Sequence, residues 1–403
     1  MSRFKTATEA LTFVGGRADV PRLECSKRIT ADLLFHAYTQ KLEQGGFTNI
    51  YDVSYSRGSV ASAIHIHDQP VSAYDFLKGG SGNVVTSGGF FFLADTYSSR
   101  PRQLALNLAI SNGRVYSLPV IDREAVVSDG NNLSAAFIKA RGVLRVNNHQ
   151  LSWSGSLASY KSDVKVFGNG NSVVTHQPNV VVGTTRVLDE QSRFTPLMSE
   201  SDLVDVGFIA NEEGIFEAAE YSTVGNVDIF AHDIVVRGCK SYFTDHPLTM
   251  TIQTVDSLTI SQVQGAMSVG PMFDTVDFNK HPINTDASLG SLPPFIERPM
   301  ARMILYETMA GMVHLRLFDG HPDSNTFPGV TPTQAVELIR DEDSVAWGCF
   351  LDPGKTAKLC MRTPERIISL GNARYLNWAT QPGEEYSWAP MTGRPTASMI
   401  TLN

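Results

Sequence analysis

Gly311-Met312-Val313-His314-Leu315-Arg316-Leu317-Phe318-Asp319-Gly320-His321 is the stretch on which the fold assignment turns. Met312, His314 and Arg316 alternate with Val313, Leu315 and Leu317. A period of two is the signature of a strand with two unlike faces. The strand runs out at Asp319-Gly320-His321 into a polar loop, Asp323-Ser324-Asn325. Beyond it, Thr331-Pro332-Thr333-Gln334 offers a capping hydroxyl, a proline in the first turn and a glutamine three residues after the cap, which predicts a helix start. Ala335, Val336, Leu338 and Ile339 supply its buried face.

Working outward, the same texture dominates after residue 50. Leu104–Ile110 and Arg114–Val120 flank Asn112-Gly113, a two-residue hairpin signal. Val143–Val146 and Gln150–Trp153 flank Asn147-Asn148, and residues 225–236 and 248–260 are β-rich. Before residue 50, Leu33, Leu34, Ala37, Tyr38 and Leu42 fall at helical spacing between Thr30 and Gly45-Gly46. This predicts a helix over 26–46, capped by Thr30 and ended by the glycines. The expected class is therefore α+β: mixed, largely antiparallel sheets with a few packed helices. The expected organisation is an N-terminal helical segment, 1–50, and a main domain, 51–403, with an insertion over 176–262. Pro293-Pro294 reads as a stiff joint.

The chain has 403 residues, 42% hydrophobic and 18% charged, with a net charge of −8. That composition belongs to an ordered globular protein. An acidic total argues against a nucleic-acid polymer as partner, yet leaves room for one phosphate held by one or two cations. Met1–Val14 lacks the apolar core of a signal peptide, and no run approaches the roughly 18 apolar residues of a membrane helix. Four scattered cysteines, Cys25, Cys239, Cys349 and Cys360, read as small buried thiols in a reducing compartment. The expected location is the cytoplasm, with no membrane partner; oligomeric state is not legible.

Three segments could carry chemistry. Val84-Val85-Thr86-Ser87-Gly88-Gly89-Phe90-Phe91-Phe92-Leu93 runs a strand into paired glycines, which either open backbone N–H groups to a ligand or mark a bulge in a buried strand. Asp319 at its strand end is a candidate acid, base or metal ligand, or simply part of an Asp-Gly turn. Leu351-Asp352-Pro353-Gly354-Lys355-Thr356-Ala357-Lys358 sets a carboxylate beside hydroxyl and ammonium donors, or is a Pro-Gly turn with solvated lysines. His65-x-His67 with Asp68 has no third ligand at useful spacing, so no metal site is assigned there. The spacings of a Walker loop, a Rossmann fingerprint and a nucleophile elbow do not occur.

Taken in order, these segments resemble the phosphodiester glycosidase family, which includes the enzyme that removes a covering N-acetylglucosamine from phosphorylated mannose. The family's Asn-Gly-Gly-Phe-Phe is similar to Ser87-Gly88-Gly89-Phe90-Phe91, and its Ile-Ser-Asn-Gly-Arg to Ile110–Arg114. Arg302–Tyr306 loosely resembles an Arg-Thr-Ala-Ile-Gly stretch, Phe318–His321 a Val-Asp-Gly-Arg strand end, and Gly329–Val336 a helix start. Leu351–Ala357 resembles the Leu-Asp-Gly-Gly-Gly-Ser-Ser signature, and Gly393–Thr396 a closing Glu-Arg-Pro-Val. The likeness spans roughly residues 84–155 and 265–400. It departs at Ser87, His321, Pro353 and Lys355, which implies an altered ligand site.

The resemblance implies a hydrolase acting on a glycosyl phosphodiester or a related phosphorylated or nucleoside-like small molecule, within a biosynthetic pathway. It implies catalytic roles for Asp352 and Asp319, and substrate contacts from Ser87, Gly88, Gly89, Phe90, Arg302, His321, Gly354, Lys355, Thr356 and Arg394. A divalent cation, Ca²⁺ or Mg²⁺, shared by Asp319 and Asp352 would be compatible with it. The alternatives are a lyase, cyclase or group transferase of secondary metabolism on the same scaffold, or a non-catalytic protein that binds sugar phosphates.

Overall fold

A computed structural model of the chain describes residues 24–80, 82–92, 104–105, 107–119, 121–155, 164–168, 186–188, 194–196, 202–228, 231–275, 278, 298–371 and 392–403. Met1–Val14, Leu93, Pro293-Pro294 and much of 176–201 lie outside the described residues. The protein is mostly β, 54% strand against 10% helix, so the expected α+β class is corrected. Among the described residues only Ala73–Lys78 and Pro332–Glu342 are α-helical. Both hairpin turns form as predicted, with positive φ at Asn112, Gly113 and Asn147.

The predicted N-terminal helix is a pair of strands. Glu24–Arg28 pairs antiparallel with Leu34–Lys41, which pairs with Phe47–Ser56. Leu33, Phe35 and Ala37 are buried while Leu34 is exposed, so the apolar set has period two, and the helical spacing was a coincidence of small numbers. The Thr30 hydroxyl does cap, but it accepts the N–H groups of Asp32 and Leu33 in a tight turn. Gly45 and Gly46, both at positive φ, make the next turn.

Two antiparallel sheets carry the candidate residues. Sheet A runs in the order Glu24–Arg28, Leu34–Lys41, Phe47–Ser56, Met312–Asp319, Arg302–Thr308, Val345–Phe350. Sheet B runs Ile367–Leu370, Leu359–Arg362, Val84–Ser87, Thr396–Leu402, Ser62–Val71. One core holds Val53, Leu315 and Leu317 of sheet A with Val84, Leu359 and Ile400 of sheet B. The N-terminal strands are therefore integral to the fold that the later motifs build, not a separate segment.

The helix Pro332–Glu342 covers the other face of sheet A, burying Ala335, Val336 and Ile339 against Ile50, Ile304 and Phe318. Its start is the predicted capping box: Thr331 accepts from the Gln334 N–H and Gln334 reaches back to the Thr331 N–H. Thr331→Ala is expected to lower stability by about 1 kcal/mol. A denaturant midpoint equal to wild type would mean that packing alone sets this end. At the helix's far end Arg316 bonds Asp52 and Glu342 at 3.2 and 2.7 Å.

A third sheet, Leu133–Ile138, Arg123–Ser128, Gly265–Ser268, Ala109–Ser111, Arg114–Ser117, shares both main cores. Beyond it, seven strands close into a barrel. The order is Arg141–Val146, His149–Gly155, Val164–Gly168, Ile234–Cys239, Leu203–Ala210, Phe216–Thr223, Thr249–Val255, and the last strand pairs back onto the first. Trp153, Val166, Val206, Phe208 and Val236 are among its buried core residues. The expected insertion thus corresponds to a barrel whose first strand already begins at Arg141.

Candidate functional site

The ends of strands from both sheets meet around residues 352–358. In sheet A, Arg302 pairs with Phe318, and Ile304 with Phe350, so the start of one strand and the ends of its two neighbours share one rim. In sheet B, Leu359 pairs with Thr86 and Ser87 with Met399. Backbone bonds lock the rims together: Asp352 N–H donates to Gly88 O at 3.0 Å, Gly354 N–H to Ala301 O at 2.8 Å, and Ser87 N–H to Lys358 O at 3.2 Å. Gly354 sits at φ +66, the conformation that a side chain would strain.

Asp352 lies at the centre, 8% exposed. Burial pushes its carboxyl up to about 7, against the Thr356 hydroxyl that hydrogen-bonds it and the Arg394 and Arg123 guanidiniums that pull it down. Arg394 lies over the Phe91 ring at 5.9 Å and Arg123 over Phe90 at 5.3 Å. Asp352, Thr356, Arg394, Phe90 and Gly88, all named from the sequence, therefore belong to one constellation. Arg123 was not named. It occupies an ordinary-looking strand, and only sheet pairing brings that strand beside the Gly-Gly-Phe segment.

Asp319 is near but differently placed. It is fully buried and acts electrostatically on Lys358, read from the sequence as an ammonium donor of the 351–358 segment but also buried. Lys358 donates from Nζ to Gly371 O at 2.9 Å. Burial lowers its pKa to about 8, partly offset by Cys360 and Asp319. His321 takes the Asp323 N–H on Nδ1 at 3.1 Å, which puts its neutral-form proton on Nε2. Desolvation lowers its pKa; Asp323 opposes this, and Arg298 and Lys355 add to it. The 352–358 segment thus touches three neighbourhoods: Asp352 with two arginines, Lys358 with Asp319, and Lys355 with His321.

Two expected roles do not match the geometry. The N–H groups of Gly88 and Gly89 donate within the protein, to Ser398 O at 2.9 Å and Ser398 Oγ at 3.0 Å. Glycine is required because a Cβ at Gly88 would lie 2.5 Å from Ser398 Oγ, and one at Gly89 would lie 2.1 Å from Ser268 O. Close strand packing, rather than phosphate cradling, accounts for the pair. Ser87 likewise faces inward, its hydroxyl taking the Lys358 N–H at 3.3 Å.

Arg302 shares the outer face of sheet A with Phe318, opposite to Asp319, because neighbouring residues on a strand alternate. Its guanidinium donates to Val330 O and Arg298 O at 3.1 and 2.8 Å. Arg302→Met is expected to lower stability by about 1–3 kcal/mol, the cost of one buried and one part-buried carbonyl each losing a donor, with phosphate affinity unchanged. Weakened phosphate binding at wild-type stability would return Arg302 to the ligand site.

A shared divalent cation does not fit these residues, since Lys358 faces Asp319 while Arg123 and Arg394 face Asp352. No cluster of three or more His, Cys, Asp or Glu side chains suited to a metal occurs among the described residues. His65 instead hydrogen-bonds Thr401 at 3.0 Å and stacks on His67.

No protein-family model matches the chain, and no curated protein matches it. Solved structures do. A hypothetical protein from Synechocystis is similar over 96% of this chain, at 12% identity and a TM-score of 0.57; the chain spans 64% of that protein. A Burkholderia pseudomallei protein assigned as exported is similar over 89% of this chain and 74% of its own, at 10% identity and TM-score 0.51. The zebrafish N-acetylglucosamine-1-phosphodiester α-N-acetylglucosaminidase catalytic domain, auto-inhibited by its pro-peptide, aligns over 98% of this chain and 92% of its own, at 10% identity and TM-score 0.38. The first two likenesses establish a shared fold.

Proposed function

We propose that the protein is a hydrolase of a glycosyl phosphodiester, or of a related phosphorylated small molecule, and that Asp352 is its proton donor. The observation that carries this reading is one carboxyl, held up to about 7 by burial, facing a hydroxyl and two guanidiniums. The ordered sequence motifs supply the substrate class. In the reaction the bond between the anomeric carbon and the phosphate oxygen breaks. Asp352 gives its proton to the departing oxygen, water adds to the sugar carbon and loses a proton to solvent, and the Asp352 carboxylate takes up a proton again before the next turnover. Arg394 carries the phosphate charge, and Thr356 holds the carboxyl in place. Lys355, half-buried, would meet a more distant part of the substrate, with the buried His321 behind it. No described helix is long and apolar enough to cross a membrane. Four free thiols suit a reducing compartment, and we assign the cytoplasm.

The complete burial of Asp319 favours a second reading. Glycoside hydrolysis normally uses two carboxylates on either side of the sugar, and Asp319 is sealed beside Lys358. A single proton donor next to anion-binding groups also suits elimination, cyclisation or group transfer. Turnover in heavy-oxygen water decides between the readings: hydrolysis places the label in the product, and the others do not. A thermal-shift response to sugar phosphates without product on prolonged incubation would replace both with a binding protein.

A further inference from the structure

Arg123 is among the largest fully buried side chains of the protein, 1% exposed, in a chain of net charge −8. Burying a guanidinium that deeply is costly unless its surroundings compensate it. Its seat is built from two directions. Nε donates to Val269 O at 2.9 Å, and the guanidinium lies over the Phe90 ring. Each contact leads to Asp352 in few steps. The residue after Val269, Gly270, donates its N–H to Phe350 O at 2.7 Å, two residues before Asp352. Phe90 follows Gly88-Gly89, and Gly88 O takes the Asp352 N–H. Gly270 has no room for a Cβ, which would meet Phe350 O at 2.9 Å and Phe90 Cε2 at 3.1 Å. The guanidinium, its aromatic seat and the backbone of Asp352 are therefore linked through neighbouring hydrogen-bonded segments, and Arg123, 1% exposed, is too enclosed to meet a substrate directly.

We propose that Arg123 is a positioning residue for this site: from its seat on Phe90 and Val269 it holds a buried positive charge behind the Asp352 loop without touching the substrate. The inference rests on the reading of Asp352 as the proton donor. The division of labour follows from exposure. Arg394, which is partly exposed, is the cation that meets an anionic ligand, while Arg123 supplies a constant field from behind. That field limits how far burial can raise the Asp352 pKa, and so keeps the carboxyl able to both hold and release its proton near neutrality. The other groups facing Asp352 are the Thr356 hydroxyl and Arg394. Glu124, next to Arg123 in sequence and buried, acts on Cys349.

The test is ¹³C NMR titration of the aspartate carboxyls in the full chain, with the Asp352 signal identified by its loss in Asp352→Asn. In Arg123→Gln the Asp352 midpoint is expected to rise by about one pH unit or more, and Arg123→Lys is expected to restore most of it. The alkaline limb of the rate profile should move in the same direction. A merely structural role would lower stability and leave both midpoints in place. If Arg123→Gln does not fold, Phe90→Leu decides, since it removes the seat but no charge or hydrogen bond; a smaller rise is expected. An unmoved midpoint in whichever of these variants folds overturns the proposal. An Arg123-dependent midpoint in a protein that cleaves no glycosyl phosphodiester would reject the proposed function and keep this inference. Cleavage with an Arg123-independent limb would do the reverse.

Discussion

Asp352→Asn is expected to lower turnover of a glycosyl phosphodiester at least about 100-fold, the usual scale for removing a positioned general acid. Asparagine has nearly the same shape, so Thr356, Arg394 and the Gly88 carbonyl keep their places, while the transferable proton is gone. Overall structure should survive, because a neutral side chain suits a buried site at least as well as a carboxylate. The wild-type rate should fall as pH rises through about 7, where the carboxyl loses the proton it must donate. That alkaline limb should vanish in the variant along with most of the activity. Near-normal turnover by Asp352→Asn, or a wild-type rate that stays level through neutrality, would remove Asp352 from the chemistry. A large loss of kcat with unchanged KM would put its role in the transition state rather than in binding.

The largest expected loss of stability lies away from the site, on the barrel. Asp205 and Arg237 are directly paired residues on neighbouring strands. Arg237 donates from Nε and Nη2 to the two carboxylate oxygens at 2.6 and 2.7 Å, and both residues are buried. Asp205 also takes the Gly225 N–H at 2.8 Å, tying down the loop after Phe216–Thr223. Arg237 further lies over the Phe167 ring. Asp205→Ala leaves a buried guanidinium without its carboxylate, which typically costs about 3–5 kcal/mol. Exposed ion pairs are worth only about 0–1 kcal/mol, so a loss in that lower range in thermal or denaturant unfolding would contradict the assignment. Replacing both partners together, with Asp205→Leu and Arg237→Met, should restore much of the loss. The penalty comes chiefly from stranding one charge.

The candidate site was partly legible before any coordinates. Asp352 and Thr356 could be named because their segment sets a carboxylate beside hydroxyl and cationic donors at a strand end, and strand ends are where chains leave the core; Arg394 was named only through the family resemblance of Gly393–Thr396. The Gly88-Gly89 pair was conspicuous, but it was read as N–H groups open to a ligand or as a bulge; what requires glycine is the close approach of Ser398 and Ser268. Arg302 was expected at the site only from a loose family resemblance, and a motif match does not say which face of its strand meets the site; here it faces Val330 and Arg298. Arg123 was missed because nothing in its own segment distinguishes it, and Lys358, read as an ammonium donor of the 351–358 segment, is instead buried against Gly371 O. Their significance lies in partners far away in sequence, Phe90 and Asp319.

The fold divides in the same way. By itself the sequence determined the local elements with strong short-range chemistry: the alternating strand Met312–Asp319, the Asn112-Gly113 and Asn147-Asn148 hairpins, and the capping box at Thr331. Only the tertiary structure decided that Leu34–Lys41 is a strand rather than a helix, that seven strands close into a barrel, and that Arg123 stands behind Asp352. Turns and caps are settled by neighbours within a few residues. Strand identity in an ambiguous apolar pattern, sheet closure and buried charge depend on partners beyond the local segment, from tens to more than a hundred positions away, and those meet only when the sheets pack.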